Sequence, residues 1–301
     1  MAYSDKELMR LIKCSREDLE MFKRVRRGAF AEAKKFKKHF FEREIRILGI
    51  SGSTRREDDC PKSDSHTDWL LERAMNHLKK LGAKTEIIRL WEYNIKPCKG
   101  CYSTTNAQCH FYCSCYPRGT EYGDDMSNIL YGKLMWADAI IFATPTHNFK
   151  ISSPMSLFLD RCISMDGSLK PANPKHAKDK ELNTKHTKFI ELTADDSFGS
   201  GFMRRFSGKT AGIIVTGHEI GMSMAISSLF MTLNHFGMIF PAFSNIYAAG
   251  DFCHGLYADK KLLRNECHAK NAEELAENVF NMAKFLKKHP ELWWKYDGKA
   301  N

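Results

Sequence analysis

No stretch of this sequence approaches the roughly 18–20 consecutive apolar residues that a membrane-crossing helix needs, which excludes a bilayer span of that kind. No apolar core follows the opening Met1-Ala2-Tyr3-Ser4-Asp5-Lys6, so an export leader is not expected and the expected location is cytoplasmic. Two phosphate-loop signatures are also missing, the Walker A loop and the dinucleotide G-x-G-x-x-G fingerprint. RNA-binding and zinc-finger signatures are missing as well, so nucleic acid is not the expected partner despite the basic balance.

What is present is an ordinary globular composition, 43% hydrophobic and 27% charged, in a chain long enough for one large domain with additions. The net charge is +10. Residues 1–44 carry 13 Lys/Arg against 8 Asp/Glu, half of that excess. Such a surface suits a cofactor phosphate, a nicotinamide dinucleotide or an acidic electron carrier. Ten cysteines in a chain read as cytoplasmic point to metal ligation or redox chemistry rather than disulfides. Five of them (Cys98, Cys101, Cys109, Cys113 and Cys115) fall in one 18-residue window.

Residues 1–44 read as a helical arm. Ser15-Arg16-Glu17-Asp18 is a helix start, and Leu19, Phe22, Ala29, Ala33, Phe36 and Phe40 form one apolar stripe, suited to packing on its own domain or on a second subunit. From Ile45 strands alternate with helices. Strands are predicted at 45–50, 85–90, 139–144, 210–215 and 238–243, and helices near 68–81, 125–136, 153–161 and 272–288, with one more ending at about 236. Alternation of this kind builds a parallel sheet covered on both faces. Five strands predict a flavodoxin-like doubly wound α/β sheet of order 2-1-3-4-5 over residues 45–250. Residues 91–124 form a cysteine-rich loop, 166–208 read as an inserted surface excursion, and 251–301 as a helical tail.

Ligands in such sheets bind beyond the carboxyl ends of the strands. After the first strand come Ser51-Gly52-Ser53-Thr54-Arg55 and then Ser65-His66-Thr67, hydroxyls and free N–H groups at a helix start that suit a mononucleotide phosphate. After the third come Pro145, Thr146, His147, Asn148 and Phe149, placed to wrap a flat ring. After the fourth come Thr216-Gly217-His218-Glu219-Ile220-Gly221, whose glycines permit close backbone approach. Each group also reads as an ordinary polar turn; their coincidence at one sheet edge is the signal.

Gly52-Ser53-Thr54-Arg55, Ile95-Lys96-Pro97-Cys98-Lys99-Gly100-Cys101, the run Ala137–Thr146 and the helix Ser153–Cys162 resemble the NADPH-dependent FMN reductase superfamily, and within it the iron–sulfur flavoproteins. The resemblance covers roughly residues 45–165 and 209–245. It implies FMN, with the phosphate on Ser53, Arg55, Ser65 and Thr67 and the isoalloxazine against Pro145–Phe149 and Gly217–Gly221. Two departures stand out: extra residues Arg56–Lys62 in the phosphate loop, and His66 and His147 where the family more often has an amide and an aromatic. His147 is then expected to hydrogen-bond the ring rather than stack on it.

The resemblance also implies a [4Fe–4S] cluster held by Cys98 and Cys101 with two of Cys109, Cys113 and Cys115, of which Cys109 and Cys113 are preferred. The spacing C-x2-C-x7-C-x3-C-x-C is more open than the family pattern. Zinc, redox disulfides or unligated thiols remain open readings of the same residues. The expected function is an FMN-dependent oxidoreductase exchanging electrons with NAD(P)H, a ferredoxin or a quinone, as a homodimer or homotetramer. The alternatives are an NAD(P)H-dependent FMN or quinone reductase without a cluster, and a non-catalytic electron-carrier subunit. No general acid or base is assigned.

Overall fold

The computed structural model describes residues 3–39, 44–56, 59–60, 64–103, 109–193, 204–250 and 264–293, without the side chains of 36–39 and 218–220. Its centre is a sheet of β1 (Arg46–Ser51), β2 (Lys84–Arg89), β3 (Ala139–His147), β4 (Lys150–Ile151), β5 (Thr210–His218) and β6 (Asn245–Gly250). The parallel path runs β2-β1-β3-β5-β6, the flavodoxin-like arrangement. The centre of β1, Ile47-Leu48-Gly49-Ile50, is buried on both faces, as a strand covered by helices on each side must be.

Two details correct the expected five-stranded 2-1-3-4-5 sheet. A sixth strand, β4, pairs antiparallel with β3. It arises because Asn148 and Phe149 both take positive φ (49° and 66°), the backbone of a two-residue hairpin, so the chain folds back at once. The last parallel strand is β6, not 238–243, where Ile239 makes only an isolated bridge to Thr210. Pro241 lacks a backbone donor and Phe243 is left-handed (φ 52°), so a ladder cannot run through that stretch. Asn245-Ile246-Tyr247-Ala248 instead alternates exposed and buried, as an edge strand does.

Helices α3 (His66–Lys80) and α8 (Glu266–Lys288) pack on one face of the sheet, burying Leu70, Leu71, Met75, Leu275 and Val279 with Ile141 and Ile214. On the other face lie α4 (Tyr131–Trp136), entered through a π-helical turn Met126–Leu130, with α5 (Ser153–Cys162) and α7 (Glu219–His235). A third cluster joins α1 (Asp5–Ile12) and α2 (Arg16–His39) to α6 (Lys180–Thr193). There Leu8, Ile12, Leu19 and Phe22 meet Phe189 and Ile190. Of the surface excursion expected over 166–208, residues 194–203 lie outside the described residues, and Asn183, His186, Phe189 and Ile190 recur at helical spacing and are buried against the amino-terminal helices. Among the described residues, no helix is long and apolar enough to cross a membrane.

Candidate functional site

At the carboxyl edge of the sheet the polar side chains of the first loop largely organise the loop itself. Ser51 Oγ accepts the Ser53 N–H at 3.2 Å, and Ser53 Oγ accepts the Arg55 N–H at 3.2 Å. Both serines are buried, whereas Thr54 is exposed. Ser65 Oγ accepts the Asp68 N–H at 3.0 Å and caps α3, as its position before the helix requires. Thr67 and Thr216 share a buried hydroxyl–hydroxyl hydrogen bond of 2.6 Å that ties α3 to β5. His66 Nδ1 accepts from Arg264 Nε at 3.1 Å.

The second group is strand rather than loop down to His147: Pro145 registers with Thr216, and Thr146 and His147 pair with Ile151 and Lys150. Only Asn148 and Phe149 form the turn, leaving the Phe149 ring exposed. His147 is pushed below the ordinary imidazole range, first by desolvation and then by the charge of Arg55, which links the β1 and β3 loops. Thr216, Gly217 and His218 likewise lie in β5, and the side chains of His218 and Glu219 fall outside the described residues. Gly221 has φ +99°, and an added Cβ would stand 2.6 Å from Phe149 Cα. The β3 and β5 loops are thus in backbone contact. Gly221→Ala is expected to destabilise the fold by about 2 kcal/mol, because it meets both the positive φ and that contact. Urea unfolding checks this; a change below about 0.5 kcal/mol, the range of a neutral surface substitution, means that the two loops are not packed together.

The cysteine window folds into a second feature. Cys98, Cys101, Cys109, Cys113 and Cys115 all line one cavity of about 340 Å³, with Arg161 beneath. The Sγ atoms of Cys101 and Cys115 are 3.1 Å apart. Burial pushes the Cys109 thiol up to about 11. Cys113 is raised by donating to Cys115 and by burial; Cys115 is lowered by accepting that bond. Arg161 is 2% exposed, pairs with the buried Asp124, and donates to Lys96 O at 2.8 Å. Lys99, Lys178 and Lys180 also line the cavity. The preferred set omitted Cys115, which the fold brings to the same cavity as the other four. It also assigned nothing to Arg161, although a cation among Phe158, Leu159 and Cys162 on an apolar helix was the available signal. Among the described residues, no group of three or more His, Cys, Asp or Glu side chains stands in metal-ligating arrangement.

The sequence profile of the NADPH-dependent FMN reductase family matches residues 45–250, more than half of the chain. The chain belongs to the NADPH-dependent FMN reductase family. An iron–sulfur flavoprotein of Archaeoglobus fulgidus is 32% identical over 117 residues, 39% of this chain and 48% of the relative. One of Methanocaldococcus jannaschii is 28% identical over 118 residues, 39% of this chain and 50% of the relative. The chain therefore spans about half the length of the curated relatives it matches. The structure of RosB with a bound 8-demethyl-8-formylriboflavin-5'-phosphate intermediate superposes with a TM-score of 0.56 at 19% identity, covering 82% of this chain and 81% of RosB, which shows a shared fold.

The residues at the sheet edge fit the family's cofactor. Thr146 Oγ1 is buried there without a hydrogen-bond partner among the described residues, beside Gly217, whose added Cβ would stand 3.2 Å from it; an unspent hydroxyl at that edge suits a polar ring atom. Arg55 follows β1 at the same edge, paired at 3.5 Å with Asp59.

Proposed function

We propose that the chain is an FMN-dependent oxidoreductase that also holds a [4Fe–4S] cluster in the cysteine-lined cavity and exchanges electrons with NAD(P)H, a ferredoxin or a quinone. The observation that carries this reading is the convergence of five thiols from one 18-residue window on a single cavity. A flavin supplies one- and two-electron chemistry when bound, and a cluster supplies single-electron transfer. Ser53, Arg55, Ser65, His66 and Thr67 would hold the phosphate, and Pro145–Phe149 and Gly217–Gly221 the ring. His147, whose surroundings disfavour its charged form, would offer the ring a hydrogen-bonding nitrogen.

Cys98, Cys101, Cys109 and Cys113 would be the cluster ligands, with Cys115 the alternative to either of the last two. Ligation requires thiolates. Burial raises Cys109 to about 11, which favours the thiol at neutral pH, so a metal would have to displace its proton to solvent on binding. Lys99, Lys178 and Lys180 at the cavity wall would offset the negative charge that four thiolates bring, since Arg161 is already paired with Asp124. Assembly as a homodimer or homotetramer and a cytoplasmic location belong to the same reading.

Protein purified without oxygen is expected to show flavin bands with a broad shoulder near ~400 nm and about four irons per chain. Cys98→Ser and Cys101→Ser are expected to remove the iron and the shoulder while leaving FMN bound. Flavin without iron in the wild-type protein overturns the cluster and leaves a simple NAD(P)H-dependent reductase or an electron-carrier subunit. Stoichiometric zinc makes the same thiols a structural tetrahedral site.

A further inference from the structure

Arg264 lies beyond the residues that match the family profile, yet its side chain is packed across the start of α3. Nε donates to His66 Nδ1 at 3.1 Å, Nη1 to Asp64 Oδ2 at 3.3 Å, and Nη2 to the Ser65 carbonyl at 3.2 Å. The guanidinium carbon sits 5.9 Å from the centroid of the Trp69 ring. The Arg264 side chain is only 16% exposed, whereas its carboxylate partner Asp64 is 73% exposed. That pair is largely screened by solvent and compensates the half-buried cation weakly. Asp68 is the nearest further acid on this helix, and it faces Arg89 at 3.8 Å.

A cation held against the amino-terminal end of a fifteen-residue helix opposes the positive pole of the helix dipole. The arrangement becomes favourable when an anion stands between them. An imidazole that accepts at Nδ1 carries its proton on Nε2, so Arg264 also fixes His66 as a donor through its other nitrogen.

We infer that Arg264 is a phosphate-recognition residue. It adds positive charge to the end of the site where Ser65, His66 and Thr67 lie, orients His66, and makes the site select phosphorylated flavin over riboflavin. This rests on the FMN reading above. It assigns to the carboxy-terminal segment, outside the profile match, a part in cofactor choice.

Full-length protein stripped of flavin is titrated with FMN and with riboflavin, following quenching of flavin fluorescence. Arg264→Ala is expected to weaken FMN binding by about 10–100-fold, the range of a lost charge-assisted contact, and to leave riboflavin binding within about twofold. Arg264→Lys is expected to recover part of the loss. Arg264→Gln, which keeps donors without the charge, is expected to match Arg264→Ala and serves if the alanine variant folds poorly. FMN affinity unchanged in the alanine and glutamine variants overturns the assignment. Equal losses for FMN and riboflavin also overturn it, by showing a purely structural role. Wild-type protein that binds riboflavin as tightly as FMN overturns the selectivity alone, whereas wild-type protein that binds neither removes the flavin reading itself.

Discussion

Asp124→Ala is expected to cost about 3–5 kcal/mol of stability, because it leaves the Arg161 guanidinium buried without a counter-charge. Both side chains are essentially inaccessible, at 1% and 0% exposure. The remaining partners of Arg161 are the Lys96 carbonyl at 2.8 Å, the Ser127 hydroxyl at 3.4 Å and the face of the Tyr116 ring at 4.6 Å. None of these is an anion, so none can replace the carboxylate. Asp124 does a second thing: its Oδ1 accepts the Ser127 N–H at 2.9 Å and so starts the helical turn that leads into α4. Urea unfolding of the variant measures the loss. The double variant Asp124→Leu with Arg161→Met removes both charges and is expected to return most of the stability, since a buried pair and an apolar replacement are commonly near in energy. A double variant as unstable as Asp124→Ala would falsify the assignment of the loss to an unpaired charge.

Acidification is expected to remove about 3 kcal/mol of stability between pH 6.5 and pH 4 through His186. This histidine is 1% exposed and stacks on Phe22 with ring centroids 4.9 Å apart and planes 10° from parallel. Burial, and then the neighbouring His110, depress it from 6.5 to about 4. In the unfolded chain the imidazole takes its proton near 6.5, and in the folded chain only near 4, so the unfolded state binds more protons throughout that window. Its contribution is complete above pH 6.5 and is lost as the pH falls to about 4. Urea midpoints measured from pH 7.5 downward for the wild type and for His186→Leu should diverge in slope by about one proton. Identical slopes would mean that this ring does not titrate with folding. The packing of α1 and α2 on α6 is the part of the molecule this proton acts on, because Phe22 and Phe189 hold the ring from both helices.

Much of the candidate site is legible because a parallel sheet sends every strand in the same direction. Once Ile45–Ile50, Thr85–Leu90, Ala139–Thr144 and Thr210–Val215 are read as strands, the segments that follow three of them must meet at one edge. Ser51–Arg55, Pro145–Phe149 and Gly217–Gly221 are found there for that reason. The start of α2 is equally local: Ser15 Oγ accepts the Asp18 N–H at 3.0 Å, as the order of a hydroxyl and acids predicts.

Other features were out of reach of pattern. A two-residue strand such as β4 has no periodicity to detect, and its turn needs positive φ at Phe149, a residue that gives no such warning. The stretch after Met238 looks like a strand by composition, yet the ladder forms only past Pro241 and Phe243. Polar residues over 166–208 suggested an inserted surface excursion, and the apolar face of α6 becomes evident only when α1 and α2 are there to cover it.

The sequence by itself determined the fold class, the sheet edge that carries the loops and the crowding of cysteines, because these follow from local spacing along the chain. Only the tertiary structure decided that Cys115 joins the other four thiols, that Asp124 neutralises Arg161, and that Arg264 reaches His66 across 198 residues. Contacts at that separation depend on how whole elements pack, and packing energy is shared among many side chains rather than written at either end of the contact.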